Sequence, residues 1–310
     1  MTYKLVVDYS PVYELISSFT LFSSKKFIRN TDLGSEWVQK VKKQLDPEFL
    51  SLIANPKTVP CLEKPYILAW KSPYKQDIQK FLWWLGELTP GDMYEMLAPF
   101  VTEGLPNDLG DVRDKYVQLF SAWYEQYYSK VEEHIGKALE QDAEYKKRLE
   151  GSLNAVDLLE QASGGVRIEP LEGLDLIVLS PSSHYAPLTV YCEFQHFYFV
   201  QYSIDIPHED PEAPQKPLMR ITRALADENR MKILKFLAQG PKTFKEIVKF
   251  TRLSKSTVHH HLMALRSSGL ISVYVTQDSN VDRYRFRPNA FKEFNKLMST
   301  FLDAGIEHIG

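Results

Sequence analysis

Thr243-Phe-Lys-Glu-Ile-Val-Lys-Phe-Thr-Arg-Leu-Ser254, running straight on into Lys255-Ser-Thr-Val-His-His-His-Leu-Met-Ala-Leu-Arg-Ser-Ser-Gly269, is the stretch whose reading decides the fold of the C-terminal third. Thr243 with Glu246 three residues on is a capping box, in which the threonine oxygen takes one orphan amide and the glutamate reaches back to another. The short helix that it opens is expected to end near Phe250. Ser254 then caps a second helix, in which Val258, Leu262 and Leu265 recur at i, i+4 and i+7 until Gly269 stops it. Two short helices joined by a tight turn read as a helix-turn-helix.

Working outward, Leu218–Ala226 is an amphipathic helix, and Asp227 caps another whose apolar face is Met231, Ile233, Leu234 and Leu237, ended by Gly240-Pro241. Downstream, Ile271–Thr276 and Arg283–Arg287 read as two strands joined by a polar turn over 277–282, a hairpin wing. Arg283, Arg285 and Arg287 alternate with Tyr284 and Phe286, so one face of the wing is basic and the other packs inward. Opposite the apolar stripe of the second helix stand Lys255, Ser256, His259 and His260. Donors near the N-terminus of a recognition helix are placed to meet base edges in the major groove. Arg283 and Arg285 are placed to meet phosphates or enter the minor groove.

Charge supports a polyanionic partner. Residues 218–310 carry 16 Lys/Arg against 8 Asp/Glu, a net of +8, whereas residues 1–217 carry a net of −11. The break coincides with Ile206-Pro-His-Glu-Asp-Pro-Glu-Ala-Pro-Gln-Lys-Pro217, whose four prolines bar a continuous helix or central strand and suggest a stiff linker over 206–217. Before it, residues 1–205 open with a strand-like alternation (Tyr3, Leu5, Val7, Tyr9) and continue through a proline-broken helical region ended by Gly164-Gly165. Strand candidates follow at Val166–Glu169, Leu174–Leu179, Leu188–Glu193 and Phe194–Ile204. The expectation is an α+β N-terminal domain, its first strand joining the late sheet, followed by a C-terminal winged helix-turn-helix domain at 218–310.

The C-terminal motifs resemble a known family. Arg223-Ala-Leu-Ala-Asp-Glu-Asn-Arg-Met-Lys-Ile-Leu234, Leu253-Ser-Lys-Ser-Thr-Val-His-His-His-Leu262 and Leu265-Arg-Ser-Ser-Gly-Leu-Ile271 are similar to the winged helix-turn-helix of ArsR-type bacterial regulators, over roughly 218–290. The resemblance implies a homodimeric, cytoplasmic transcription factor on double-stranded DNA, most often a repressor released by a signal. It also implies that the helix Ala290–Leu302 helps form the dimer through Phe291, Phe294, Leu297, Met298 and Phe301. It does not carry over a metal site. Relatives that sense metal place Cys-x-Cys on the helix before the recognition helix, where Thr243–Val248 has no cysteine or histidine, and the terminal helix offers Asp303, Glu307 and His308 without paired spacing. Three consecutive histidines, His259–His261, diverge by about 100° each on a helix and do not converge on one ion. His261 is expected to face the body of the domain.

The remaining expectations are mostly exclusions. Two cysteines, Cys61 and Cys192, make neither a CxxC motif nor a disulfide framework. No secretion signal is visible, and no apolar run approaches the ~18 residues of a membrane span. No cofactor is called for, and no dinucleotide, Walker, zinc-protease or nucleophile-elbow motif asks for an enzyme. The aromatic helix Tyr116, Phe120, Trp123, Tyr124, Tyr127 and Tyr128 reads as core before ligand pocket, and His196 as a partly buried sheet residue. His184, Cys192, Glu193, His196 and His208 cluster only in sequence. Residues 1–217 hold 30 of the 39 aromatics, which leaves room for a small-molecule, non-metal effector of the N-terminal domain. The competing reading is a small-molecule enzyme tethered to a DNA- or protein-binding winged helix.

Overall fold

The computed structural model describes residues 3–25, 27–55, 59–101, 104–206, 210, 212–276 and 283–306, with side chains to 303. It divides into two compact units: one comprises residues 3–148 and 173–204, the other residues 149–172 and 205–310.

The first unit starts with β1 (Lys4–Val7) and α1 (Pro11–Ser24), then runs through α2 (Gly34–Lys42), α3 (Pro47–Ala54), α4 (Lys64–Lys71), α5 (Ile78–Glu87), α6 (Pro90–Leu97), α7 (Leu109–Gln126) and α8 (Glu132–Leu149). Prolines begin several of these helices, where a missing N–H costs nothing. After α9 (Ala155–Ser163) and β2 (Val166–Ile168), which belong to the second unit, the chain returns with β3 (Leu176–Ser182), β4 (Val190–Phe194) and β5 (Phe197–Ser203). The sheet order is β1-β3-β5-β4, with β1, β3 and β5 parallel and β4 antiparallel to β5. The first strand therefore does join the late sheet. Tyr116, Phe120, Trp123 and Tyr128 are at most 1% exposed and Tyr127 is buried, so the aromatic stripe is core except at Tyr124, which is half-buried.

His196 departs from expectation. It lies outside any strand, exposed in the two-residue turn between β4 and β5 at φ 60°, with Nδ1 2.6 Å from the Gly173 carbonyl oxygen. A left-handed backbone at a non-glycine residue gives no composition signal, so 194–204 read as one strand. His208 lies outside the described residues.

The second unit continues with α10 (Lys216–Leu225), α11 (Glu228–Leu237), β6 (Lys242–Thr243), α12 (Phe244–Thr251), α13 (Lys255–Ser267), β7 (Ile271–Val275), β8 (Arg283–Phe286) and α14 (Ala290–Ile306). Pro217 sits in the first turn of α10; residues 207–209 and 211 of the proline-rich stretch, and the turn 277–282, lie outside the described residues. Ile221, Ile233, Leu237, Ile247, Val258 and Leu265 form the buried centre, each removing a branched aliphatic side chain from water at about 1.5–3 kcal/mol.

The 1–205 domain boundary needs correction. Residues 149–172 belong to the second unit, because β2 pairs in parallel with β7 (Val166↔Val273, Ile168↔Val275) in a sheet of order β2-β7-β8-β6. Gly165, at φ 132°, is what permits the approach: a Cβ there would lie 2.6 Å from the Ile271 carbonyl oxygen. Ser272 of β7 hydrogen-bonds Glu160 of α9, and the Arg167 guanidinium, paired with Asp157, Glu160 and Glu169, lies 5.8 Å from the Tyr274 ring centroid. The segments 149–172 and 205–217 bring nine acidic and two basic side chains, so this unit is nearly neutral as a whole and its positive charge is a matter of local placement. Among the described residues no helix is long and apolar enough to cross a membrane.

Candidate nucleic-acid interface

Local chemistry sets the ends of every helix around the candidate interface. Asp227 accepts from the Arg230 amide at 2.9 Å and starts α11. Thr243 and Glu246 close both arms of the capping box that starts α12, at 3.3 Å from the Glu246 amide to the threonine oxygen and 2.7 Å from the Thr243 amide to the carboxylate. α12 ends at Arg252, left-handed at φ 59°, whose amide bonds the Val248 carbonyl. Ser254 caps α13 by accepting from the Thr257 amide at 3.2 Å. Ile247 on α12 and Val258, Leu262 and Leu265 on α13 lock the two helices into the core.

That packing leaves Lys255, Ser256, His259 and His260 exposed together, at i, i+1, i+4 and i+5 on the first turns of α13. Ser256 Oγ is 2.9 Å from Ser254 Oγ, so its hydroxyl is oriented by the cap and keeps a free lone pair. Arg283 and Arg285 are exposed on β8, alternating with half-buried Tyr284 and Phe286. The structure thus brings each of the six expected residues to the surface of this unit.

Arg287 does not share that face. It follows the end of β8, is 7% exposed, donates to the Gly269 carbonyl at 3.0 Å and ion-pairs with Glu293 of α14. A guanidinium with its charge already matched holds the hairpin base to the last helix and is not offered outward.

Two exposed residues escaped the sequence reading, Arg252 and Thr257. Both have signals only in hindsight: Arg252 fills the left-handed turn between the helices, a place usually taken by glycine, and Thr257 stands three residues after the cap with its hydroxyl 2.8 Å from Ser254 Oγ.

His261 turns inward, 7% exposed, with both ring nitrogens lacking a hydrogen bond. Burial holds its pKa below the usual 6.5; the Asp227 carboxylate, 3.9 Å away, opposes this, and Arg230 and His260 add to it. The ring is therefore neutral near pH 7. Among the described residues no three His, Cys, Asp or Glu side chains are placed to hold a metal. On α14, Phe294 and Leu297 pack partly onto the core, while Phe291 is 41% exposed and Met298 and Phe301 are half-buried.

Helices in this order, with an exposed donor strip on the second helix of the turn, define a helix-turn-helix of the DNA-binding class. Residues 227–273 match the model of the arsR family of bacterial regulatory proteins, so the segment from the Asp227 cap to the middle of β7 is an ArsR-type helix-turn-helix. Among solved structures, the chain is similar to a homodimeric winged helix-turn-helix DNA-binding domain from Mycobacterium bovis, described as a possible ArsR-family transcriptional regulator. That likeness is 28% in identity, covers 30% of this chain and 82% of that one, and has a TM-score of 0.22. The comparison with curated proteins finds no match.

Proposed function

We propose that this protein is a sequence-specific DNA-binding transcriptional regulator, acting as a homodimeric repressor through a winged helix and carrying no catalytic activity of its own. The observation that carries the reading is the exposed strip Lys255, Ser256, His259 and His260, held on a helix whose opposite side is fully packed. Lys255, His259 and His260 present donors to base edges, while Arg283 and Arg285 neutralise phosphates and supply salt-dependent affinity. The half-open apolar side of α14, with Phe291, Met298 and Phe301, suits a second copy of the chain, and a dimer would set two recognition helices about 34 Å apart or a multiple of it. A non-metal effector of the first unit fits the same reading. An open cleft of about 490 Å³ there sets Phe100, Phe194 and Tyr198 beside the polar Glu63, Lys64, Glu193 and Gln195, a size that admits a small molecule with polar groups.

Selection of duplexes from a random pool by the full-length protein tests this, with affinity for the winner followed against salt. An enriched inverted repeat bound well above random DNA is the expected result. No enrichment and no salt-dependent binding would leave the winged helix as a protein-interaction module.

A further inference from the structure

The corner of the first unit where α4, the stretch after α6 and the β4–β5 turn meet is built of aromatic rings. Phe197, the first residue of β5, is 1% exposed and stands at its centre. Trp70 of α4 stacks on it with ring centroids 5.0 Å apart, Phe194 of β4 stacks at 5.5 Å, and Phe100 meets it edge-on at 5.7 Å. The Gln195 amide donates to the Phe100 carbonyl at 2.9 Å and ties the turn to the stretch after α6. Phe100 and Phe194 are only half-buried by this packing, so part of each ring is left facing outward.

The other face of the hairpin adds a third ring and a charge. Tyr198 is half-buried, and its ring lies parallel to that of Tyr191, 6.0 Å away and inclined by 5°. Glu193 pairs directly with Tyr198 in the antiparallel register, so the two side chains leave the sheet on one face with Cβ atoms about 5 Å apart. The Tyr198 hydroxyl registers that neighbour: burial, and then the Glu193 charge, push its pKa up to about 12. Because β4 is the edge of its sheet, residues from both its faces reach the same cleft of about 490 Å³, which Cys61, Glu63 and Lys64 also line.

Charge decides what such a cleft takes. Two carboxylates, Glu63 and Glu193, stand against the one ammonium of Lys64, and among the described residues none of the three has an ion-pair partner. Aromatic faces carry negative potential and attract cations. This cluster already does so with a cation of its own, since the Lys71 ammonium lies 4.6 Å from the Trp70 ring centroid and 5.3 Å from that of Phe100. An anion would meet two carboxylates as well as the ring faces, and a neutral molecule would gain nothing from either carboxylate.

We propose that this cleft binds an organic cation with an apolar body, its charged head near Glu63 and Glu193 and its body against Phe100, Phe194 and Tyr198. The inference gives a ligand class to the effector cleft of the proposed function; the ligand's regulatory role rests on that reading, its binding does not.

Cys61 supplies the readout. It is exposed in the wall of the cleft, whereas burial pushes the Cys192 thiol up and keeps it protonated, so a thiol reagent near neutral pH reaches Cys61 first. The full-length protein is labelled at constant ionic strength with benzyltrimethylammonium, phenethylammonium, benzyl alcohol or phenylacetate present, and Cys61→Ser serves as the blank. Both cations are expected to slow labelling saturably, to about a tenth of its rate at ten times the dissociation constant. Benzyl alcohol should bind about tenfold more weakly, and phenylacetate should not protect. The double variant Glu63→Gln, Glu193→Gln should weaken the cations about fivefold; both side chains are exposed, so the fold does not depend on them. Tyr198→Leu should weaken them about two- to fivefold by removing one ring face. No saturable protection by either cation, equal protection by benzyl alcohol or phenylacetate, or cation protection undiminished in both variants overturns the site. No DNA enters this measurement, so its failure leaves the DNA reading as it stands, and a protein that selects no duplex can still bind the cations.

Discussion

His261 stands immediately behind the exposed pair His259 and His260, yet its ring is sealed and neutral. Because its folded pKa lies below the unfolded value near 6.5, stability is complete above that pH and is lost as pH falls and protonation favours the unfolded chain. The lowered carboxyls of this unit, Asp227 and Glu246 among them, lose their contribution only below about pH 4.5, so they leave the window from 6.5 to 5 to histidine. The thermal midpoint of the second unit should fall between pH 7.5 and 5, and His261→Phe should flatten that fall; an undiminished drop in the variant would move its origin elsewhere. The outward residues predict different readouts. Arg283→Ala and Arg285→Ala should each lower the salt slope of DNA binding by about one, whatever the sequence. Lys255→Ala or His259→Ala should relax preference for the selected duplex by about 1–3 kcal/mol while sparing random DNA, and equal losses on both would remove these residues from base reading. Residue-scale placement was legible where a short period decides it: a strip at i, i+1, i+4 and i+5 opposite an apolar stripe faces outward by geometry alone. Arg287 and His196 were illegible because each is fixed by a contact outside its own strand, the Gly269 carbonyl and Glu293 of the next helix for the first and the Gly173 carbonyl for the second.

Helix ends, the next scale up, were the easiest features to read. The Asp227, Thr243 and Ser254 caps each bond an amide three residues on, so the whole interaction lies within four residues of sequence. Thr243→Ala should cost about 1 kcal/mol by leaving that amide unpaired. The pairing of β2 with β7 had no comparable signature. Val166–Glu169 was visible as a strand, but its partner lies more than a hundred residues downstream, and an apolar run does not say which sheet it joins. The two adjacent glycines before β2 separate the causes by experiment. Gly164 is at φ 67° with nothing within 4 Å of an added Cβ, so Gly164→Ala should cost only the left-handed penalty of about 1–2 kcal/mol. Gly165→Ala adds a collision with the Ile271 carbonyl and should cost distinctly more in urea unfolding. Equal costs would mean that β2 does not need its close seat on β7.

At the scale of the molecule, charge totals misled where local placement did not: the excess of 8 positive charges over 218–310 is largely cancelled by the acidic pieces 149–172 and 205–217 that fold with it. The same pieces bear on any attempt to work with the C-terminal part alone. A chain cut at 218 would lack β2 and α9 and leave the far side of β7 with open amides and carbonyls, an edge prone to pair with other chains. We expect the 218–310 fragment to unfold earlier and aggregate more than a version in which 149–172 is joined back to it, as read by thermal unfolding and light scattering; identical behaviour would make the β2–β7 pairing dispensable. The backbone passes from one unit to the other at 148/149, at 172/173 and again at 204/205. Two units joined by a single linker can be exchanged through one crossover between genes, each half bringing its own ancestry. Here a crossover at the proline-rich stretch would separate a reading head from a strand that it borrows from upstream, so the two halves are expected to share one lineage and to be inherited as a block.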